Sequence, residues 1–469
     1  VAQVDWEPYT MGSVQEPEAR LMQKWLLPFV ELDPAYGIND APDCVPPSPH
    51  PDDPTAICEG DPQVFTTPRL KPAPVVAAVV FGFDLDLLEI YLHEVAPLVD
   101  FVAIMEMDHT HKGLPKPLVF QRHQHNVRFT RFKDKIIPIV ARGDPKKLDW
   151  DPAGMLRSPS FRAERWQEID GMRQLTDRLK QLGVPLNDAV MLFGDSDELP
   201  PRHALVRAKY CRLRSQPVVV ASWMPQGTVA EPRRSFRAHW SLPLALGLYA
   251  PVTQLNFVYV NPVITTFLEW QGRFGTGFTR DSDSRNRSYV YGQGSLDYRH
   301  YYNAVFGGVH LSHHLYVPFL LLKHFTAAEY AGVPRELVPR MQGRPGGAAR
   351  AQSAMQALVG YKNVFGCSGN CSERLRRSDQ VNFFANAIAT PPRYLQCNKL
   401  RFPTLWSNPD PRYHVQVPWS AFPAEHPKSL RDLQRPESRL GASDFPQFAP
   451  WCSTLDAHCA TAARPRGGD

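Results

Sequence analysis

The sequence lacks the long apolar run that a membrane-spanning helix needs. Crossing a bilayer takes about 18–20 consecutive apolar residues, whereas the longest candidate, Tyr316 to Phe325 ("YVPFLLLKHF"), is much shorter and contains a lysine. An initiating Met and a signal peptide are missing as well, so we expect any anchor or targeting segment to lie outside this chain. The prediction is a soluble body that reaches a membrane only through such a segment.

Concentrated positive charge is also missing. The chain has 52 Lys and Arg against 47 Asp and Glu, and its basic residues form no block. A nucleic-acid-binding protein needs a basic patch or stripe to neutralise phosphates. The charge pattern therefore argues against nucleic acid as a partner.

Cysteine is sparse. Eight cysteines in 469 residues are too few for a dense disulfide scaffold, and no second pair accompanies Cys367 and Cys371 to complete a zinc site. Disulfides are favoured instead, and with them a secretory compartment. We expect bonds between Cys44 and Cys58, and from Cys367 and Cys371 to each other or to distant partners such as Cys397, with Cys211 as a lone helical thiol.

Proline, by contrast, is abundant and marks the ends of the chain. The 46 prolines are about twice the usual share of roughly 5%, and they cluster near both termini. Such segments are poor candidates for helices or inner strands. We therefore predict a Pro-rich stem or linker over residues 1–74, a folded domain over 75–411 and a Pro-rich tail over 412–469.

Within the folded domain, strand patterns alternate with helical patterns. The runs "PVVAAVVFG" and "VDFVAIMEM" are typical of strands buried on both faces, and "DLDLLEIYLHEVA" between them has helical spacing. Further helices are predicted for Phe161 to Leu182 and Arg202 to Arg214, and short β segments for Ser235 to Trp270. The alternation predicts an α/β fold, with a mainly parallel sheet covered by helices on both faces.

One of these predicted strands is followed at once by a cluster of acidic residues. The stretch "AVMLFGDSDELPP" places Asp195, Asp197 and Glu198 after a buried run, where open parallel sheets bind ligands. Crowded carboxylates raise one another's pKa unless a cation neutralises them, and oxygen ligands suit Mg²⁺ or Mn²⁺ together with a substrate's phosphates. The alternative is local: Asp195 caps the next helix, and Asp197 and Glu198 favour its dipole.

The order of several short motifs resembles glycosyltransferase family 17. The resemblance runs from about Val75 to Phe402, through "DLLEIYLHEVAPLVDFVAIMEMDHTHKGLPKPL", "GDSDELP", "FGGVHLSHHL" and "PPRYLQCNKLRF". The matching residues are Asp86, Leu87, Leu88, His93, Glu94, Val99, Asp100, Phe101, Val102, Glu106, Thr110, Gly113, Lys116, Pro117, Leu118, Asp195, Asp197, Glu198, Pro200, Gly308, His310 and Ser312.

This resemblance implies a nucleotide-sugar-binding fold of the GT-A type and inverting transfer of a sugar. The donor would be a UDP-sugar, UDP-N-acetylglucosamine by analogy, the cofactor Mn²⁺ or Mg²⁺, the acceptor a glycan or glycoprotein, and the compartment the Golgi lumen. The implied metal ligands are Asp195, Asp197 and His310. The implied donor-binding residues are Asp195, Glu106 (or Glu106 fixes the neighbouring loop), Lys116 and Arg285.

Inversion also needs a base on the acceptor hydroxyl, a task that carboxylates perform. The candidates are Glu269, beside Trp270, and Asp297, with Asp281 and Asp283 as further choices. The proposed site also requires the stretch around His310 to return to within about 15 Å of Asp197, the reach of a shared small ligand.

Four positions depart from the family pattern. Tyr91 replaces an Arg, Met107 replaces a Ser, Val309 replaces a Trp and Glu168 replaces an Arg. These departures keep a second hypothesis open, in which the chain is a catalytically inactive glycan-binding or structural relative.

Overall fold

The computed structural model describes the parts of the chain that form the sheet and its flanking helices. The described residues are 44, 54–59, 62, 64–111, 116–142, 162–214, 216–223, 225–227, 232–235, 259–274, 304–311, 319, 322, 323, 326, 391–399 and 401–406. No helix among them is both long and apolar enough to cross a bilayer. The predicted tail (412–469) and the predicted bonds of Cys367 and Cys371 lie outside the described residues.

Strands and helices alternate through the first half of the chain, as the apolar pattern predicts. The strands are β1 (Phe65–Pro68), β2 (Val75–Val80), β3 (Phe101–Met107), β4 (Ile136–Ala141), β5 (Val190–Asp195), β6 (Glu198–Leu199), β7 (Cys211–Leu213), β8 (Val218–Trp223), β9 (Pro225–Gly227), β10 (Pro232–Ser235), β11 (Tyr259–Thr266) and β12 (Ala304–His310). The helices are α1 (Pro54–Glu59), α2 (Leu85–Val95), α3 (Val119–His123), α4 (Val127–Thr130), α5 (Arg162–Gln181), α6 (Arg202–Tyr210), α7 (Phe267–Phe274), α8 (Arg393–Cys397) and α9 (Pro403–Trp406).

The core is built on the two faces of one sheet. All six residues of β2 are buried, and they alternate between two apolar clusters. Val75, Ala77 and Val79 belong to one cluster, which also contains the apolar face of α2. Val76, Ala78 and Val80 belong to the other, which contains side chains of α5. The prediction of strands buried on both faces is confirmed for β2.

The sheet has eight strands among the described residues, in the order β4-β3-β2-β5-β11-β8-β12-β6. The pairings β4-β3, β3-β2, β2-β5 and β8-β12 are parallel. The pairings of β11 with β5 and β8, and of β12 with β6, are antiparallel. The α/β class is confirmed, but the sheet is mixed rather than mainly parallel, because β11 enters its centre in the opposite direction.

Two element boundaries differ from the predictions. The helix predicted for Arg202 to Arg214 ends at Tyr210, because Cys211 adopts extended backbone and starts β7, which pairs with β1. The segment "VITTFLEW", predicted as a β segment, divides instead at Thr266 into the end of β11 and the start of α7. The Thr266 hydroxyl accepts a hydrogen bond from the Glu269 N–H, as a helix-capping residue does.

The disulfides connect distant parts of the chain. Cys44 bonds to Cys397 and Cys58 bonds to Cys211, with sequence separations of 353 and 153. The predicted Cys44–Cys58 bond, the alternative that pairs Cys397 with Cys367 or Cys371, and the free thiol at Cys211 are therefore wrong. Cys211 is buried at the start of β7, where the packing of α1 brings Cys58 to it, and no local pattern signals that packing.

A buried charged cluster holds the C-terminal helices against α2. The Glu89 carboxylate accepts hydrogen bonds from the Arg128 guanidinium, from Arg401 Nε at 2.7 Å and from the Tyr394 hydroxyl at 2.7 Å. The Tyr394 ring also stacks on His93, with ring centroids 3.5 Å apart. Burial would raise the pKa of Glu89, but the two arginines and Tyr394 together hold it below its usual value. This cluster explains why "PPRYLQCNKLRF" accompanies the earlier motifs.

The cluster predicts a large stability effect at Glu89. Glu89→Gln leaves Arg128 and Arg401 buried without their shared carboxylate, and breaking a buried ion pair on one side costs about 3–5 kcal/mol. We expect a loss of that size in the free energy of unfolding, measured by chemical denaturation. The matched control is Glu59→Gln on the exposed surface of α1, which should change it by less than about 0.5 kcal/mol. Equal stability of the Glu89 and Glu59 variants would contradict this description.

Candidate active site

The carboxyl ends of six described strands lie along one edge of the sheet. The strands β2, β3, β4 and β5 are parallel, and β8 and β12 share their direction because two antiparallel pairings, through β11, separate β8 from β5. Segments that follow β2, β3 and β5, together with the end of β12, line a cavity there. The cavity is open to solvent and has a water-accessible volume of about 120 Å³.

A tight turn after β5 forms the acidic floor of the cavity. Glu198 is fully buried, and its carboxylate accepts the N–H of Asp195 at 2.9 Å. The strand β6 pairs with β12 through His310↔Glu198, and the Leu311 N–H donates to the Asp197 carbonyl at 2.8 Å. The backbone therefore fixes Asp195, Asp197 and His310 beside one another, and all three line the cavity.

Asp197 lies between Lys323 and His310. Its Oδ2 lies 3.0 Å from Lys323 Nζ and 3.3 Å from His310 Nε2, and its side chain is only 9% exposed. Burial would raise the pKa of Asp197, but Lys323 and then His310 outweigh burial and hold the pKa well below its usual value. The carboxylate is therefore ionised over the whole physiological pH range.

The contact between His310 and Asp197 confirms that the late stretch returns to the acidic cluster. The local alternative, in which the acids cap the next helix, does not match the structure. The N-cap residue of α6 is Pro201, and no side chain caps this helix. Asp195 and Asp197 line the cavity instead.

Glu106 and Lys116 are bonded to each other beside the cavity. Glu106 is fully buried and accepts the N–H groups of Phe120 and Gln121 at the start of α3. Lys116 Nζ donates to Glu106, to the Gly82 carbonyl and to the Pro117 carbonyl, at 3.1–3.2 Å. The contacts of Glu106 match the alternative role we gave it, which is to fix the loop. Lys116 lines the cavity, and its contact with a donor stays a prediction.

Glu269 does not meet the acidic cluster. Thr266, which begins its helix, pairs with Val190 at the start of β5, whereas Asp195 ends that strand. Five residues of strand separate the two ends by about 16 Å, and Glu269 lies at the opposite edge of the sheet. The other predicted residues of this part of the site, Arg285 and the acids Asp281, Asp283 and Asp297, lie outside the described residues.

Two groups in the cavity were missed from the sequence. Lys323 lies in the apolar run "YVPFLLLKHF", where a lone charge implies a buried partner, and that signal was available. Glu164 lies in the first turn of α5, and its carboxylate is 3.5 Å from His111 Nδ1. Glu164 stood in a polar segment without any distinguishing pattern, so only the fold identifies it.

The carboxylate oxygens of Asp195 and Asp197 fit a divalent ion whose remaining ligands come from a substrate. Asp197 Oδ1 is buried and accepts no hydrogen bond in the described part of the chain, and the half-buried Asp195 is beside it. No group of three or more His, Cys, Asp and Glu side chains there is arranged to hold a metal alone. Mg²⁺ and similar ions are commonly held by one or two carboxylates plus substrate phosphates, and such a site needs no third protein ligand.

Comparison with known proteins finds a family for part of the chain. Residues 63–220 match the sequence model of glycosyltransferase family 17. The match confirms the resemblance for the motifs before residue 220, and it contains Asp195 and Asp197. No solved structure matches the chain.

Three curated relatives bear the name beta-1,4-mannosyl-glycoprotein 4-beta-N-acetylglucosaminyltransferase. The proteins of Rattus norvegicus and Homo sapiens are 28% identical to this chain over 144 residues, and that of Mus musculus is 27% identical. The aligned part is 30% of this chain and 24–25% of each relative. The chain thus matches about a quarter of the length of these relatives.

The four departures from the family pattern, Tyr91, Met107, Val309 and Glu168, are all buried. Tyr91 and Val309 are both buried in the core cluster that packs on α2, and Glu168 is buried on α5. Burial, and then the carboxylate of Glu198, raise the pKa of Tyr91 above its usual value. None of these residues lines the cavity. The departures therefore change the packing behind the cavity wall rather than the side chains that a ligand would contact.

The turn after β5 depends on Gly194. A Cβ atom there would lie 2.5 Å from Pro262 Cβ and 2.7 Å from Glu198 Oε2, closer than packed atoms allow. Gly194→Ala should therefore displace Glu198 from the Asp195 N–H and lower the free energy of unfolding by about 1–3 kcal/mol. Chemical denaturation measures the loss. Gly82→Ala is the control, because its Cβ would meet nothing within 4 Å, and a loss of equal size in both variants would refute the crowding argument.

Proposed function

We propose that this chain transfers a sugar from a nucleotide sugar to a glycan acceptor. One observation carries the proposal. The acidic turn of the matched family segment lines a cavity at the carboxyl edge of the sheet, together with His310 and Lys323. In open α/β sheets, ligands bind at this edge.

The donor on this proposal is a UDP-sugar, with UDP-N-acetylglucosamine as the first choice from the names of the relatives. Asp195 and Asp197 would hold Mn²⁺ or Mg²⁺, and His310 is the third ligand of the sequence prediction. The metal would neutralise charge on the departing diphosphate. The fold type proposed for this site is GT-A.

The acceptor hydroxyl needs a base, and among the described carboxylates we propose Glu164. Asp84 already caps α2, because its carboxylate accepts the Leu87 N–H at the start of that helix. Asp195 and Asp197 belong to the donor site on this proposal. Glu164 lines the same cavity and is 7% exposed. Asp297 stays the alternative base from the sequence prediction.

The proposed transfer inverts the configuration at the anomeric carbon of the donor sugar. The acceptor oxygen forms a bond to the anomeric carbon while the bond from that carbon to the diphosphate oxygen breaks. The diphosphate leaves with the electron pair, and the hydroxyl proton passes to Glu164. Burial of Glu164 beside His111 holds the carboxylate in place and limits its contact with water.

The acceptor is proposed to be a glycan of a glycoprotein, again from the names of the relatives. The compartment proposed is the secretory pathway, in the Golgi lumen. The disulfides Cys44–Cys397 and Cys58–Cys211 support an oxidising compartment.

A nucleotide-sugar panel tests the proposal. The purified chain is titrated with UDP, GDP and CMP and their sugar conjugates in the presence of Mn²⁺, and release of free nucleotide is followed with and without glycopeptide acceptors. Binding of one nucleotide with sugar transfer supports the transferase. Binding of glycan without any nucleotide binding supports the inactive relative instead.

Asp197→Asn should remove a metal-binding charge while it keeps the shape of the side chain. We expect UDP affinity in the presence of Mn²⁺ to fall at least about tenfold, as for the loss of one charged ligand interaction. Calorimetric titration measures the affinity. The matched control is Asp100→Asn, which alters an Asp–Lys ion pair of the same 3.0 Å length outside the cavity. Unchanged UDP affinity in the Asp197 variant would remove this acid from the donor site.

Glu164→Gln should slow transfer without weakening donor binding. Loss of a positioned base lowers kcat by about 10²–10⁴-fold, and the amide keeps the size of the side chain. The measurement compares kcat and UDP affinity with those of Glu59→Gln, an exposed control on α1. If the Glu164 variant keeps wild-type kcat and Asp297→Asn loses it, the base is Asp297.

A further inference from the structure

A lysine faces the acidic floor from a helical segment that the matched family region does not include. Lys323 Nζ lies 3.0 Å from Asp197 Oδ2, and the lysine side chain is 15% exposed and lines the cavity. The family match ends at residue 220. Lys323 therefore lies outside the matched family segment, whereas its partner Asp197 lies inside it.

The segment that carries Lys323 is anchored on both sides of the lysine. Phe319, Leu322, Lys323 and Thr326 are helical, and positions three and four apart lie on one face of a helix. Leu322 and Phe319 are buried in the core cluster, and the Thr326 hydroxyl donates to the Leu322 carbonyl at 2.6 Å. The ammonium is therefore held at the cavity by packing as well as by its ion pair.

The two lysines of the cavity differ in what surrounds them. Lys116 is bonded to three oxygen acceptors of the protein and is 7% exposed. Lys323 stands at the acidic floor, where the proposed metal would bring a diphosphate. An ammonium donates up to three hydrogen bonds, so one lysine can bridge a carboxylate and a phosphate oxygen.

We propose that Lys323 binds the diphosphate of the nucleotide-sugar donor while Asp197 holds its ammonium in place. The inference rests on the function proposed above and names a second contact for the same ligand group. A lysine here would add positive charge where the leaving group becomes more negative, which is the arrangement that stabilises such a transition state. It also gives the late helical segment a role in donor binding.

The test distinguishes binding of the phosphates from binding of the rest of the nucleotide. Wild type, Lys323→Met and Lys323→Arg are titrated calorimetrically with UDP and with uridine, which has no phosphate, in buffer that contains Mn²⁺. Lys323→Met should weaken UDP binding about tenfold or more, the effect of one lost hydrogen bond to a charged group, and leave uridine binding unchanged. Lys323→Arg keeps the charge and should retain most of the UDP affinity.

The matched control is Lys209→Met, which breaks an Asp–Lys contact of equal length outside the cavity and should not alter UDP affinity. Thermal melting shows whether each variant folds, and Lys323→Gln replaces the Met variant if that one does not. If a folded Lys323→Met protein binds UDP with wild-type affinity, the role of Lys323 is wrong while the proposed function stands. The same holds if the variant loses affinity for UDP and for uridine equally. A wild-type protein that binds neither ligand overturns the proposed function and this inference with it.

Discussion

The structure of this site depends on keeping ionised acids together at the end of a buried strand. Asp197 is buried and yet carries a charge, because Lys323 and His310 lie within 3.3 Å of its Oδ2. An ionised carboxylate without such neighbours would be costly to bury. The two neighbours come from β12 and from the helical segment after it, so the acidic turn can form only when the late part of the chain folds onto the early part.

The backbone around the turn serves this requirement. Pairing of β6 with β12 sets His310 opposite Glu198, and the close approach of β12 to β8 leaves no room for a side chain at Gly308, whose Cβ would lie 2.3 Å from Ser222 Oγ. On the other side of the sheet edge, Glu106 fixes the start of α3. Rigid strand ends thus hold the cavity walls, which favours a site that positions a ligand rather than one that closes around it.

The sequence revealed the parts of this arrangement that leave a local pattern. Strands buried on both faces show continuous apolar runs, so β2, β3 and β5 were predictable, and so was the acidic turn after β5. Three other features were not predictable, because each depends on which distant segments of the chain meet. They are the antiparallel insertion of β11, the Cys58–Cys211 bond and the place of Glu269. Glu164 was missed for the same reason, whereas the lone charge of Lys323 in an apolar run was a signal that had no assigned partner until the fold supplied Asp197.

The central claim is that the Asp197–Lys323 pair is the diphosphate end of a donor site. The most direct measurement is an experimental structure of the chain with UDP and Mn²⁺ bound. The account predicts a diphosphate oxygen within hydrogen-bonding distance of Lys323 Nζ, about 3 Å, and the nucleotide in the cavity at the carboxyl edge of the sheet. A nucleotide bound elsewhere, or a diphosphate in the cavity that does not contact Lys323, would contradict it.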